Sequence, residues 1–162
     1  MSQPQTSGLI VSLSEPIIDR IFHHRDTYVH PNSEPSKFLR VGNRIFFYDT
    51  LSRNLIGEAV IAKLVLEKWD NLAQLGHHLF LSSDELEQYA GEKGLDKHEP
   101  VLVLELEEAV KYMNPMKCPI FIPSSGLRVT NEVFNEITSA NGCTKAPSSV
   151  RGPLCNLGVI WA

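Results

Sequence analysis

Between residues 44 and 66 two β-rich runs follow one another with only a short turn between them, and this adjacency limits the fold more than any other feature. Residues 44–48, RIFFY, are aromatic and β-branched, as a pleated, half-buried surface requires. Residues 55–66, LIGEAVIAKLVL, form a longer extended run in which Glu58 sits among apolar neighbours and Gly57 marks a bulge or a close backbone approach. Residues 49–54 are the turn. A doubly wound parallel sheet needs strands and helices in regular alternation, and this stretch has none. The expected class is therefore α+β, with a mostly antiparallel, barrel-like sheet.

The remaining elements fit that frame. Residues 8–13, GLIVSL, carry no charge and read as a buried strand. Ser14 then caps a helix with Pro16 in its first turn, and Ile17, Ile18, Ile21 and Phe22 make one apolar stripe. That helix should end near His23 or His24, with the chain extended from Thr27 to Val29. Residues 69–76 suit a short helix. Ser82 and Glu85 form a capping box for another, which should run to about Ala90 and stop at Gly91. Residues 100–106, PVLVLEL, are a further strand. Pro115, Pro119 and Pro123 surround Ile120, Phe121 and Ile122, which confines that segment to an edge strand or an extended crossing. Thr130 caps a last helix over residues 131–138, with Val133, Phe134 and Ile137 on one face. Residues 1–138 thus form the domain. Residues 139–153 read as a linker, and the apolar tail LCNLGVIWA must pack on the domain or on a second copy, forming a homodimer.

A chain of 162 residues accommodates one such domain. Its net charge of −4 argues against indiscriminate coating of nucleic acid, which depends on neutralising many phosphates. The charge is unevenly spread: residues 1–55 carry six Lys/Arg against five Asp/Glu, residues 56–110 four against twelve, and residues 111–162 five against two. If the fold brings the ends together, a modest basic face stands opposite an acidic one. Cys118, Cys143 and Cys155 are odd in number and widely spaced, which is neither a disulfide framework nor a zinc signature. Without a signal-like start or an apolar run of about 18 residues, a cytoplasmic protein with no membrane contact is expected.

The densest group of titratable and hydrogen-bonding side chains is residues 21–31, IFHHRDTYVHP, between the first helix and the next strand. Loops and element ends on a rigid scaffold commonly carry function. Tyr28 and Tyr48 are candidates to stack on a base, Thr27 and Glu58 to read its polar edge, and Arg25 to hold a phosphate, with His30 beside them. Lys117 and Arg128 would extend a basic rim. No metal site is expected, because His23 and His24 point about 100° apart on a helix and no HxxxH or CxxC spacing occurs. No cofactor is called for.

The order of these pieces resembles the ASCH-like branch of the PUA-like superfamily. The matching stretches are residues 9–13, 16–22, His24-Arg25-Asp26-Thr27, residues 45–48 and Ile56-Gly57-Glu58-Ala59. RDTYVHP, FFYDT, IGEA and YMNPMKCPIFIPSSG are similar to an archaeal family of that type. The resemblance spans roughly residues 8–126. It implies a small, mostly antiparallel β-barrel with a helix after the first strand, further short helices, and a ligand cleft near the end of that first helix. It also implies association with RNA or modified nucleotides.

Some ASCH-like proteins hydrolyse acylated cytidine with a lysine, a threonine and a glutamate. Here Thr27 falls at the threonine position, and Glu58 is a candidate for the glutamate. Asp26 stands where the lysine would be, with Arg25 beside it, and an arginine supplies no neutral amine near pH 7. The leading expectation is accordingly an RNA-binding or modified-nucleotide-binding domain. A hydrolase of a small amide or modified nucleoside, with Thr27 and Glu58 as catalytic residues, is the alternative. A protein-interaction module is the third.

Overall fold

The computed structural model describes residues 8–23, 27–72, 83–96, 98–141 and 159–161. The described strands are Gly8–Leu13 (β1), Thr27–Pro31 (β2), Arg44–Asp49 (β3), Asn54–Glu67 (β4), Val101–Lys117 (β5), Leu127–Val129 (β6) and Val159–Trp161 (β7). They form one sheet in the order β2-β5-β4-β3-β1-β6, with β7 added alongside β5. β1 and β3 run parallel; every other pairing is antiparallel. Around this half-barrel lie the helices Glu15–His23 (α1), Trp69–Leu72 (α2), Ser83–Lys93 (α3) and Asn131–Ala140 (α4). This is the expected α+β class, with a mostly antiparallel sheet.

Side chains alternate between the faces of a strand, and both faces of this sheet are covered. Leu9, Val11, Ile45, Phe47, Ala59 and Ile61 point to one side and pack with Ile18, Ile21 and Phe22 of α1. The residues between them, Ile10 and Phe46, point the other way and join Leu55, Tyr112, Met116, Ile122, Val129 and Ile137 of α4. Gly57 is where the Phe22 ring of α1 meets the sheet. A Cβ there would lie 2.4 Å from the Phe22 ring and 2.6 Å from the Val110 carbonyl oxygen, so the helix seats against bare backbone. Thr130 caps α4 as expected, its hydroxyl accepting from the Val133 N–H at 3.3 Å.

Two boundaries depart from the sequence reading, and one open alternative is settled. First, α3 runs through Gly91 to Lys93 and stops at Gly94, whose φ of +62° is the left-handed conformation that ends a helix. The Leu95 N–H returns to the Ala90 carbonyl at 2.9 Å and the Gly94 N–H to that of Gly91 at 3.3 Å, which is a Schellman closure. Gly91 lacked this closure and stayed helical. Second, β5 continues to Lys117 instead of ending at Leu106. Pro115 is tolerated because the β4 register jumps from Lys111 to Met116, leaving it in a bulge with no ladder partner in β4. Residues 120–122 form no strand and take the second expected alternative, an extended crossing, toward the short β6, whose pairing with β1 had no signature of its own. The capping residue Ser82 and the second half of the expected 69–76 helix lie outside the described residues.

Candidate functional site

β2 and β6 lie at the two ends of the strand order, and side chains join them. His30, fully buried on β2, reaches the Ser125 carbonyl with Nε2 at 3.0 Å, just before β6. A carbonyl only accepts, so Nε2 carries the proton and Nδ1 is the bare acceptor, receiving the Tyr28 hydroxyl at 2.7 Å. The Ser33 hydroxyl donates to the same Ser125 carbonyl at 3.2 Å. From α3, Tyr89 donates to the Val29 carbonyl at 2.6 Å and sits 3.3 Å from the Tyr28 oxygen. Lys93 donates to the carbonyls of Ser12 and, at 3.1 Å, Ser124.

Burial governs the protonation of this cluster. It pushes His30 down to about 4, with the nearby Lys93 charge adding to the effect, and it holds both tyrosines well above their usual range. Lys93 is itself lowered by desolvation. His30 and the two tyrosines are neutral at pH 7, and their hydrogen bonds hold β2, α3 and the Ser125 turn together. Chemically the cluster is a clamp on the seam.

A second buried constellation lies on the opposite face of the sheet. Arg44 donates to Glu58 Oε2 at 2.9 Å, and the Tyr112 hydroxyl donates to Oε1 at 2.8 Å. Glu58 is 4% exposed, so this is an ion pair taken out of water with both carboxylate oxygens engaged. Glu58 stands opposite Phe46 in the β3–β4 register, and half-buried Tyr48, two residues further along β3, packs on the same second core.

The expected site residues thus separate. Tyr28 and His30 face the α1 side, whereas Tyr48 and Glu58 face the α4 side, so they do not line one cleft. Thr27 and Glu58 are far apart as well: their β5 partners, Glu105 and Val110, are five residues apart, on the order of 15 Å along the strand. No nucleophile–base pair of these two residues is formed. Arg25 lies outside the described residues. Lys117 is exposed at the end of β5, where Asn141 brackets its backbone N–H and carbonyl at 2.7 and 2.8 Å. Cys118 is half-buried, its thiol donating to the Ile120 carbonyl, and burial pushes its pKa up, away from nucleophilic use.

Arg128 has a different setting. Its guanidinium lies 4.1 Å from the centroid of the Phe38 ring, and Phe38 is 51% exposed. The pair joins the loop between β2 and β3 to the edge strand β6. Lys37 and Arg40 flank Phe38 and are exposed; Lys37 also pairs with Glu34 at 3.3 Å. Because β6 pairs with β1 and β1 with β3, the two less acidic ends of the chain do meet at this edge. Residue reasoning passed over Phe38, although its signal was legible: Lys37-Phe38-Leu39-Arg40 interleaves cations with an aromatic ring. Tyr89, Lys93 and the Arg44–Tyr112 bracket around Glu58 had no local signal, because tertiary contacts alone bring them together.

A family model described as "Domain of unknown function (DUF365)" matches residues 6–131. No curated protein matches the sequence. Among solved structures, the ASCH protein from Zymomonas mobilis is similar at 17% identity and a TM-score of 0.62, over 82% of this chain and 94% of that one. A Ser-to-Ala mutant of it aligns at 16% identity and a TM-score of 0.65, over 85% and 98%. The N-terminal domain of Staphylothermus marinus McrB aligns at 19% identity and a TM-score of 0.53, over 86% and 98%. These likenesses identify the fold as PUA-like and ASCH-like.

Proposed function

This chain belongs to the DUF365 family, and from that premise we propose that it is an RNA-binding domain, one that takes a single strand with or without a modified base. Its contact surface is the exposed Phe38–Arg128 stack with Lys37 and Arg40 beside it. The observation that carries this reading is the pairing itself: a ring more than half exposed, backed by a guanidinium, with Lys37 and Arg40 exposed beside it. A base stacks on an aromatic face whatever its identity, and the neighbouring cations meet the phosphates on either side. The PUA-like fold agrees with this reading, since the resemblance seen in the sequence implies association with RNA or modified nucleotides. The surface differs from the cleft first expected near the end of α1. Tyr28, His30 and Glu58 are spent on internal bonds, whereas the Phe38–Arg128 stack stands at the surface.

The test is fluorescence anisotropy with labelled single-stranded RNA oligomers, comparing the wild type with Phe38→Ala and Arg128→Ala. Losing a base–aromatic stack costs about 1–3 kcal/mol, so binding should weaken roughly 5- to 150-fold in Phe38→Ala. With Lys37, Arg40 and Arg128 as the phosphate contacts, the salt slope should be shallow, about −2 on a log–log plot. Binding by Phe38→Ala as tight as that of the wild type would place the ligand elsewhere. A wild type that binds no RNA would end the proposal.

A further inference from the structure

β4 is longer than its neighbour on one side. β3 pairs with it only as far as Val60, and the backbone of Gly42 and Asn43 then closes on Ile61. From Ala62 to Glu67, β4 has a ladder on its β5 side alone among the described residues. Strand edges of this kind are templates for another strand, and proteins usually blunt them with charge, proline or a bulge. Here a register shift sits between Ile61 and Lys63, and beyond it the edge continues through Leu64, Val65 and Leu66 without interruption. Val65 is 38% exposed and Leu66 55%.

The order of residues on this edge is self-complementary. It reads Lys63-Leu64-Val65-Leu66-Glu67, with opposite charges equidistant from a central valine. We propose that a second copy of the chain pairs with this edge antiparallel, about a two-fold axis at Val65. Lys63 then stands opposite the partner's Glu67, and Glu67 opposite the partner's Lys63. Leu64 faces the partner's Leu66, and the two valines meet on the axis. Of the two-fold registers along this segment, only the one centred on Val65 matches both charges. Directly opposed unlike charges stabilise a strand pair, and like charges destabilise it. Such an interface is isologous, so it closes as a dimer instead of growing into a fibre. Glu67 accepts from Asn71 through Oε1 at 2.6 Å, which leaves Oε2 for the lysine. β7 lies along the other edge of β5 and is not part of this contact.

The test is sedimentation velocity of the full chain from low micromolar to several hundred micromolar, with circular dichroism to confirm that each variant is folded. The wild type should form a concentration-dependent dimer. Lys63→Glu and Glu67→Lys should each associate at least about tenfold more weakly, because each sets like charges opposite one another twice. An equimolar mixture of these two variants should recover the dimer as a heterodimer, since every charged pair is then matched. The double variant Lys63→Glu/Glu67→Lys should recover it alone. A wild type that stays monomeric at every concentration would overturn the proposal, including one that instead takes up an extended peptide on this edge. So would single variants that dimerise like the wild type, or a mixture that associates no better than its components.

Discussion

Acid should loosen this protein through His30, and the size of the effect follows from its burial. In the folded chain the imidazole is neutral with a pKa near 4; unfolded, it returns to about 6.5. Between those values the unfolded chain takes up a proton that the folded chain refuses, so stability falls as pH falls. It is undiminished above about pH 7 and declines by at most ~1.4 kcal/mol per pH unit. Integrated from pH 7 to 4.5, the loss is about 2.5 kcal/mol, which lowers the melting temperature by roughly 5–10 °C in a domain of this size. The measurement is a difference, so that it reads His30 alone. His30→Gln keeps a neutral donor for Ser125 and an acceptor for the Tyr28 hydroxyl without a titratable ring. Urea unfolding of both proteins at half-unit steps from pH 7.5 to 4.5 would give the difference curve. The wild type should lose its advantage over the variant steadily below pH 6.5. A flat difference curve across that range would mean that His30 is charged or solvated in the fold and does not clamp the seam as a neutral ring.

Other consequences are as direct. Gly57→Ala should destabilise by about 1–3 kcal/mol, since the new methyl meets the Val110 carbonyl as well as the movable Phe22 ring; chemical denaturation reads this, and a neutral result would show α1 seated further from β4. Arg44→Met should cost about 3–5 kcal/mol by leaving Glu58 buried beside a tyrosine without its cation, whereas Arg44→Met combined with Glu58→Leu should recover most of the loss in the same assay. Thr130→Ala should cost about 1 kcal/mol by removing the α4 cap, visible as a melting-temperature drop of a few degrees.

Local period and local caps were enough to read β1, the β3–β4 pair, α1 and α4 from the sequence. The aromatic and β-branched run at residues 44–48, the stripe from Ile17 to Phe22 and the Thr130 cap each needed only a few consecutive residues to be read. The α+β class followed from their order. Where local signals competed, tertiary structure decided. Gly91 and Gly94 are equivalent as isolated glycines, and the helix stops at the one whose neighbour Leu95 bonds back to Ala90. Pro115 reads as the end of a strand, yet β5 runs past it because the bulge opposite β4 asks no N–H of it.

The site was less legible, for a physical reason. Which face a side chain takes is set by its strand's pairing, and Tyr28 on β2 and Glu58 on β4 ended on different sides of the sheet. What a polar residue does depends on what burial removes from it and which distant atom satisfies it. Ser125, 95 positions after His30, turned a candidate ligand-binding histidine into a clamp. Phe38 remained at the surface with Arg128 because β6 was carried across the sheet to lie beside β1.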